Sequence, residues 1–215
     1  MHFASYYRWL VYQHLFGIPA SSATILDIGC DDGGFVERIG ARQSIVIDAS
    51  VASLQTSRAG QPVCADGTYM PFGKAQFDHV ILSDVIEHVL DDQVLIRNAA
   101  DCVKPGGVLW VSTTAINFSL FPPQITGRAE RSWGHVRKGY TPEGLLKLIG
   151  DNFNCTLIEW PEYMFRFCYV CIWSCSKYAP QLARQLASLC FLVDRQLKCN
   201  QKEHGHVYVQ AVRWK

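Results

Sequence analysis

The residues best equipped for chemistry lie in one stretch, TILDIGCDDGGFVE, residues 24–37. An apolar run of Ile25, Leu26 and Ile28 breaks into Gly29, Cys30, Asp31, Asp32, Gly33 and Gly34, and a helical pattern follows. A strand-to-helix turn needs one or two glycines; a third, with two adjacent carboxylates, points to a ligand. Gly29 and Gly33 would let the backbone approach a bound molecule, although a tight turn alone would use them too. Asp48 ends the next apolar run, 19 residues after Gly29. A carboxylate there can accept two hydrogen bonds from a ribose diol, or it can merely cap the following helix.

A dinucleotide is the wrong ligand for this turn. Its pyrophosphate would sit on the helix N-terminus beside Asp31 and Asp32, and each repulsion at about 4–5 Å is on the order of several kcal/mol at an effective dielectric near 20. The order of residues is G-x-D-x-G-G, not G-x-G-x-x-G. The turn suits a ligand without phosphates that carries positive charge. S-adenosylmethionine, with a sulfonium, an ammonium and a ribose diol, has that chemistry.

The elements that must position these residues alternate. Residues 3–16 read as an aromatic-rich helix, TILDIG as a buried strand and GFVERIG as a helix ending at Gly40. SIVIDAS is a strand, SVASLQTSRAG a helix closed by Gly60, PVCAD a strand and FDHVILS a fourth strand. DDQVLIRNAADCV is an amphipathic helix stopped by KPGG, and VLWVSTT is a fifth strand. Alternation of this kind implies a doubly wound α/β domain with helices on both faces of a largely parallel sheet, whose ligands lie beyond the carboxyl ends of the strands. After Thr114 a long loop runs to Tyr140. TPEGLLKLIG is a helix with Thr141 as N-cap and Pro142 first. NCTLIEW is a strand, residues 163–199 are mostly helical and apolar, and HVYVQAVRW is the last strand.

Four ordered segments now resemble one family. LDIGCDDGGF, CADGTYMPF, FDHVILSDVIEHV and KPGGVLWVSTT are similar, in order and spacing, to class I S-adenosylmethionine-dependent methyltransferases of the small-molecule type. GHVRKGYTPEGLLKLI resembles a segment of methyltransferases from bacterial glycan and related pathways. The resemblance covers roughly residues 24–160. It implies a Rossmann-like seven-stranded sheet with an antiparallel last strand and a helical insertion before it. It implies S-adenosyl-L-methionine held by Asp27, Gly29, Cys30, Asp31, Gly33, Asp48, Ala49, Asp66, Gly67, Ser83 and Asp84. Asp48 would take the ribose hydroxyls and Asp66 the adenine amino group, where a plain turn pair with Gly67 is the other reading. Asp31 departs from the family, which often has glycine there; a left-handed backbone would cost it about 1 kcal/mol or more.

Ser83 and Asp84 follow the fourth strand and should border the methionine end. Asp84 and Glu87 have the spacing of a capping box. His88 points to the same mouth by resemblance, with a structural role as the alternative. In the long loop, His135 has the intrinsic pKa of a base for a hydroxyl acceptor, and Arg137 could hold a carboxylate or phosphate; a solvated loop histidine is the plainer reading. His135, Arg137 and His88 are therefore the catalytic candidates.

Composition narrows the rest. The 215 residues are 49% apolar with a formal net charge of +1, which excludes a disordered chain and gives no pull toward nucleic acid. The start lacks the flank and cleavage site of a signal peptide, and the nine cysteines read as reduced, buried residues of a cytoplasmic protein. Cys168, Cys171 and Cys175 share a helix face, with only distant Cys199 and His204 as further ligands, so they read as packing and no metal is expected. The apolar stretch YMFRFCYVCIWSCS, residues 163–176, is too short to span a bilayer and is interrupted by Arg166; with the helical pattern downstream it makes an apolar pair over residues 163–193. They are expected to form a lid, a homodimer face or a membrane-surface contact, which would make the protein peripheral at the membrane. The expected organisation is a single domain: a helix over the cofactor (1–20), a cofactor-binding core (21–160), an apolar helical cap (161–205) and the final strand (206–215). The expected reaction is methyl transfer to a small or lipid-linked acceptor, at oxygen. A nucleic-acid methyltransferase and a non-catalytic S-adenosylmethionine-binding module are the alternatives.

Overall fold

The computed structural model describes residues 2–57, 59–117, 134–197 and 205–215. Its sheet has seven strands in the order β3-β2-β1-β4-β5-β7-β6. They are β1 (Thr24–Ile28), β2 (Gln43–Asp48), β3 (Gln61–Cys64), β4 (Phe77–Ser83), β5 (Val103–Thr114), β6 (Phe153–Trp160) and β7 (His206–Arg213). The first five pair in parallel, and β7 runs antiparallel to both β5 and β6. The helices are α1 (Phe3–Phe16), α2 (Gly34–Ile39), α3 (Val51–Thr56), α4 (Asp92–Cys102), α5 (Pro142–Ile149), α6 (Tyr163–Ser176) and α7 (Pro180–Asp194). Strand order reverses between β1 and β4, with β2 and β3 laid down on one side and β5 on the other, so the crevice at their carboxyl ends is where a ligand belongs.

Both faces of the sheet are buried, which is why its central strands read as unbroken apolar runs rather than alternating ones. Ile25, Val46, Ile81, Trp110 and Tyr208 pack toward α1 and α2, while Leu26, Ile47, Val80, Leu82 and Val209 pack toward α4 and α5. Helix α1 is buried on most of its surface because it is an inner layer. Tyr12 stacks on Trp110 of the sheet at 5.0 Å and Tyr7 stacks on Phe165 of α6 at 4.0 Å. The α6–α7 hairpin therefore lies outside α1. Asp194 ties it down: buried, it accepts from Tyr7 Oη at 2.6 Å and from the amides of Met164 and Phe165 at 2.7 and 3.1 Å.

Three local expectations are corrected. The helix expected to run to Gly60 ends at Thr56, because Ser57 returns to extended backbone and donates its hydroxyl to the Ala59 carbonyl at 3.0 Å. KPGG does not separate α4 from β5; it lies inside β5. Phe77 pairs with Val103 and His79 with Val108, so Lys104–Gly107 bulge opposite Asp78. Gly107 is needed there, since a Cβ would meet the Asp78 carbonyl at 2.9 Å. Cys171 is exposed, so the cysteine face of α6 is not wholly packing; Cys199 and His204 lie outside the described residues.

Candidate functional site

The acidic turn from β1 to α2 is a tight fold of positive-φ residues. Gly29 and Gly33 both have φ of 68°, and added Cβ atoms would meet Val85 Cγ2 at 2.6 Å and Ser57 Oγ at 2.2 Å. Asp31 takes the left-handed conformation too, at φ 49°. Asp48 holds the turn against β2, accepting from the Asp31 amide at 3.2 Å and the Ser50 amide at 2.8 Å. Ser50, not Asp48, is the side-chain cap of α3. Asp66 accepts from the Thr68 amide and hydroxyl, both at 2.8 Å, through a single oxygen.

A cavity of about 360 Å³ opens above this turn, lined by Gly29, Asp48, Ala49, Asp66, Gly67 and Asp84 among others. The remaining residues expected at the cofactor stand behind this lining. Asp27 and Cys30 are buried beneath it, Asp31 and Gly33 shape the turn, and the Ser83 hydroxyl bonds Ser112 Oγ at 3.1 Å. Charge is the most telling feature. Burial first, and then the carboxylates of Asp32, Asp48 and Asp31, push the Asp27 carboxyl up to about 8. Burial and Asp32 raise Asp31 as well. Crowded carboxylates of this kind fit a cationic ligand, because a sulfonium or ammonium offsets the mutual repulsion that adds to burial in raising these groups. The residues present thus fit S-adenosylmethionine.

A second cavity of about 230 Å³ shares Asp84 and His88 with the first and is lined also by His2, Arg8, Glu87, His135, Phe165 and Tyr169. Asp84, at φ 55°, is held there by three elements. Arg8 Nε of α1 donates to it at 2.9 Å, Ser112 Oγ of β5 at 2.9 Å, and His206 Nε2 of β7 pairs with it at 3.4 Å. Arg8 and His206 also bond the two oxygens of buried Glu162, with His206 Nδ1 3.0 Å away. Burial opposes ionisation of Asp84, yet Arg8 and His206 keep it well below the usual carboxylate range. Burial and Arg8 pull His206 down, but Glu162 and Asp84 outweigh them and lift it to about 9. Two cations and two carboxylates thus balance at the mouth.

The capping-box reading of Asp84 and Glu87 is corrected. Asp84 is engaged by Arg8 and Ser112, and the short turn Ile86–His88 has no side-chain cap. Glu87 is 1% exposed and accepts from Thr113 Oγ1 at 3.0 Å. Burial first and Asp84 second raise its carboxyl to about 7. His88 and His135 stand edge to face with ring centres 4.7 Å apart. The loop carrying His135 is pinned here by the Val136 amide on the Glu87 carbonyl at 3.0 Å. One ligand atom from each of Glu87, His88 and His135 falls within 4.8 Å of the others.

The structure brings His135 to the mouth but removes the reason for choosing it as base: burial and His88 push its imidazole down to about 4. Arg137 is not at the mouth. Its guanidinium is taken by Asp92, Tyr140 Oη and the carbonyls of Val89 and Leu90, because it clamps the returning loop to the start of α4. Sequence reasoning missed Arg8, Glu162 and His206. Arg8, a lone cation among aromatics on α1, was the one legible signal; the partners lie 76 to 154 positions away.

A seven-stranded sheet in this order, with an acidic glycine turn at its switch point, is the architecture of the class I S-adenosylmethionine-dependent methyltransferases. A family model for a methyltransferase domain matches residues 3–159, and the chain belongs to that family. Among relatives, it is 28% identical over 162 residues to the mitochondrial ubiquinone biosynthesis O-methyltransferase of Bos taurus, covering 66% of this chain and 44% of that one. It is 31% identical over 151 residues to the ubiquinone biosynthesis O-methyltransferase of Bradyrhizobium diazoefficiens, covering 60% and 56%. The chain thus spans about half the length of these curated relatives. In fold it is similar to Haemonchus contortus phosphoethanolamine N-methyltransferase 2 in complex with S-adenosyl-L-methionine, with a TM-score of 0.69, 16% identity, and coverage of 97% of this chain and 52% of that one. It also resembles an S-adenosylmethionine-dependent methyltransferase from Mesorhizobium loti, with a TM-score of 0.66, 18% identity and coverage of 98% and 100%. These matches carry no support for the glycan-pathway resemblance. No helix among the described residues is long and apolar enough to cross a membrane.

Proposed function

We propose that this chain transfers a methyl group from S-adenosylmethionine to a hydroxyl oxygen of a small acceptor seated between Glu87, His88 and His135. The observation that carries the reading is the meeting of two cavities at Asp84 and His88. A donor in one and an acceptor in the other face each other across those residues. The O-methyltransferase names of the relatives support oxygen as the methylated atom. A cavity of about 230 Å³ suits a single ring-sized group better than a nucleic acid. Its charges are balanced internally, which favours an uncharged acceptor, and the apolar side offered by Phe165 and Tyr169 suits a lipid-linked one.

When bound, the cofactor supplies an electrophilic methyl group on a good leaving group. The chain's own work is alignment, exclusion of water and proton transfer. Asp48 and Asp66 each keep an acceptor lone pair for the adenosine half, and the acidic turn holds the cationic half. Glu87 takes the acceptor's proton, since a carboxyl near 7 is half ionised where a base is needed. A second reading rests on the convergence of Glu87, His88 and His135, ligand types suited to a divalent cation that would orient the acceptor oxygen. Activity lost to a chelator and restored by a divalent ion would favour it over the free base. Titration calorimetry tests the main reading: no binding of S-adenosylmethionine or S-adenosylhomocysteine at millimolar concentration would remove it.

A further inference from the structure

The outer face of the α6–α7 hairpin is apolar, although the inner face already satisfies the core. Phe165 and Ile172 of α6, and Ala183, Ala187, Cys190 and Phe191 of α7, are buried. On the other side Phe167 is 86% exposed, Leu189 59% and Tyr178, at the turn, 89%. Trp173, Leu182 and Leu192 are exposed as well. Spacings of three and four residues put Phe167, Val170 and Ser174 in one stripe on α6, and Leu182, Gln185, Leu189 and Leu192 in one stripe on α7. Monomeric proteins rarely leave a patch of this kind uncovered.

Charge selects the occupant. Between residues 161 and 197 the acidic residues are Glu162 and Asp194, and both are buried. Lys177 and Arg195 are exposed and Arg184 is half-buried, so the hairpin presents cations without a surface carboxylate. Lys177 Nζ lies 3.8 Å above the Trp173 ring, so that aromatic and ammonium leave the surface together. A second copy docking on this face would bring like charges together with no hairpin carboxylate to meet them. An anionic bilayer meets both the cations and the apolar stripes. Helices of 14 and 15 residues are too short to span, so they would lie in the interface.

We infer that the α6–α7 hairpin is a docking surface for an anionic lipid bilayer, lying in its interface with Phe167, Trp173 and Leu189 in the acyl boundary. Phe165 and Tyr169 line the acceptor cavity from the inner side of α6. Docking therefore places that cavity about one helix diameter, ~10 Å, from lipid.

Sedimentation with vesicles tests this, using phosphatidylcholine alone and phosphatidylcholine with phosphatidylglycerol. The chain is expected to pellet with the anionic vesicles and to be released by salt. Phe167→Ser with Leu189→Ser should lower the partition constant by about tenfold or more, and Lys177→Glu with Arg195→Glu, both at exposed positions, should do so by about tenfold. Exposed substitutions leave the fold intact, which circular dichroism and cofactor binding would verify. Three outcomes overturn the inference: no pelleting with anionic vesicles, pelleting that neither variant weakens, or a dimer in analytical ultracentrifugation that the serine variant dissolves. Vesicle binding needs neither cofactor nor acceptor, so its failure leaves the methyl-transfer reading standing.

Discussion

The two cavities that meet at Asp84 and His88 treat charge in opposite ways. On the cofactor side Asp27, Asp31, Asp32 and Asp48 crowd one turn, and Asp27 holds its proton up to about 8. On the acceptor side Arg8 and His206 face Asp84 and Glu162 within hydrogen-bond or ion-pair distance. One cavity expects its neutralising charge from the ligand; the other carries its own. On the proposed function, this contrast sets where each ligand's charge is read, a cation over Gly29 and a neutral group beside Glu87. Asp84 stands at the border, and Arg8 fixes it there from α1.

The largest effect expected from breaking this contrast is on the acceptor side. Glu87→Gln should lower kcat by about 10²–10⁴-fold while leaving cofactor affinity unchanged. In the native protein kcat/KM should rise through pH about 7 as Glu87 ionises and fall through about 9 as His206 loses its proton. The variant should lose the acidic limb alone. Arg8→Met should come next. It leaves Asp84 and Glu162 without their guanidinium and is expected to destabilise the fold by about 3–5 kcal/mol, read from denaturant unfolding.

On the cofactor side Asp48→Ala should weaken S-adenosylmethionine binding by about 1–3 kcal/mol in calorimetry; an unchanged affinity would show the ribose assignment to be wrong. A cationic ligand should also draw the proton from Asp27. With a folded pKa of about 8 against an ordinary 3.8, this group favours folding fully only below the ordinary value, and its contribution is lost as pH rises through about 8. Ligand binding at pH 7 should therefore release protons, measured as a dependence of the binding heat on buffer ionisation enthalpy, and affinity should rise toward pH 8. Equal heats in all buffers would disprove the coupling. The smallest effect is Asp31→Gly, which relieves a left-handed backbone and should stabilise the unliganded protein by about 1 kcal/mol in thermal unfolding.

Several of these features were legible in the chain. The apolar runs, the Thr141–Pro142 helix start and the glycines at Gly29 and Gly33 are local signals, and each formed the element it announces. Asp48 and Asp66 line one cavity with Gly29 because each ends or follows a strand of the parallel sheet, so their order along the chain fixes their place in the crevice. The misreadings have one cause. Arg137, His135 and Glu87 were judged by type and spacing, but each role depends on what lies beside the side chain. Asp92 takes Arg137, burial and then His88 depress His135, and the buried bond from Thr113 makes Glu87 something other than a helix cap.

Periodicity, glycine placement and the polarity of one turn are properties of neighbours in the chain, and the sequence by itself determined them: a doubly wound sheet and a cofactor that is positive rather than phosphorylated. The balance of charge at the acceptor mouth was decided only in three dimensions. Arg8, Asp84, Glu162 and His206 come from four separate elements, and an ion pair's strength depends on distance and burial, which no local pattern records.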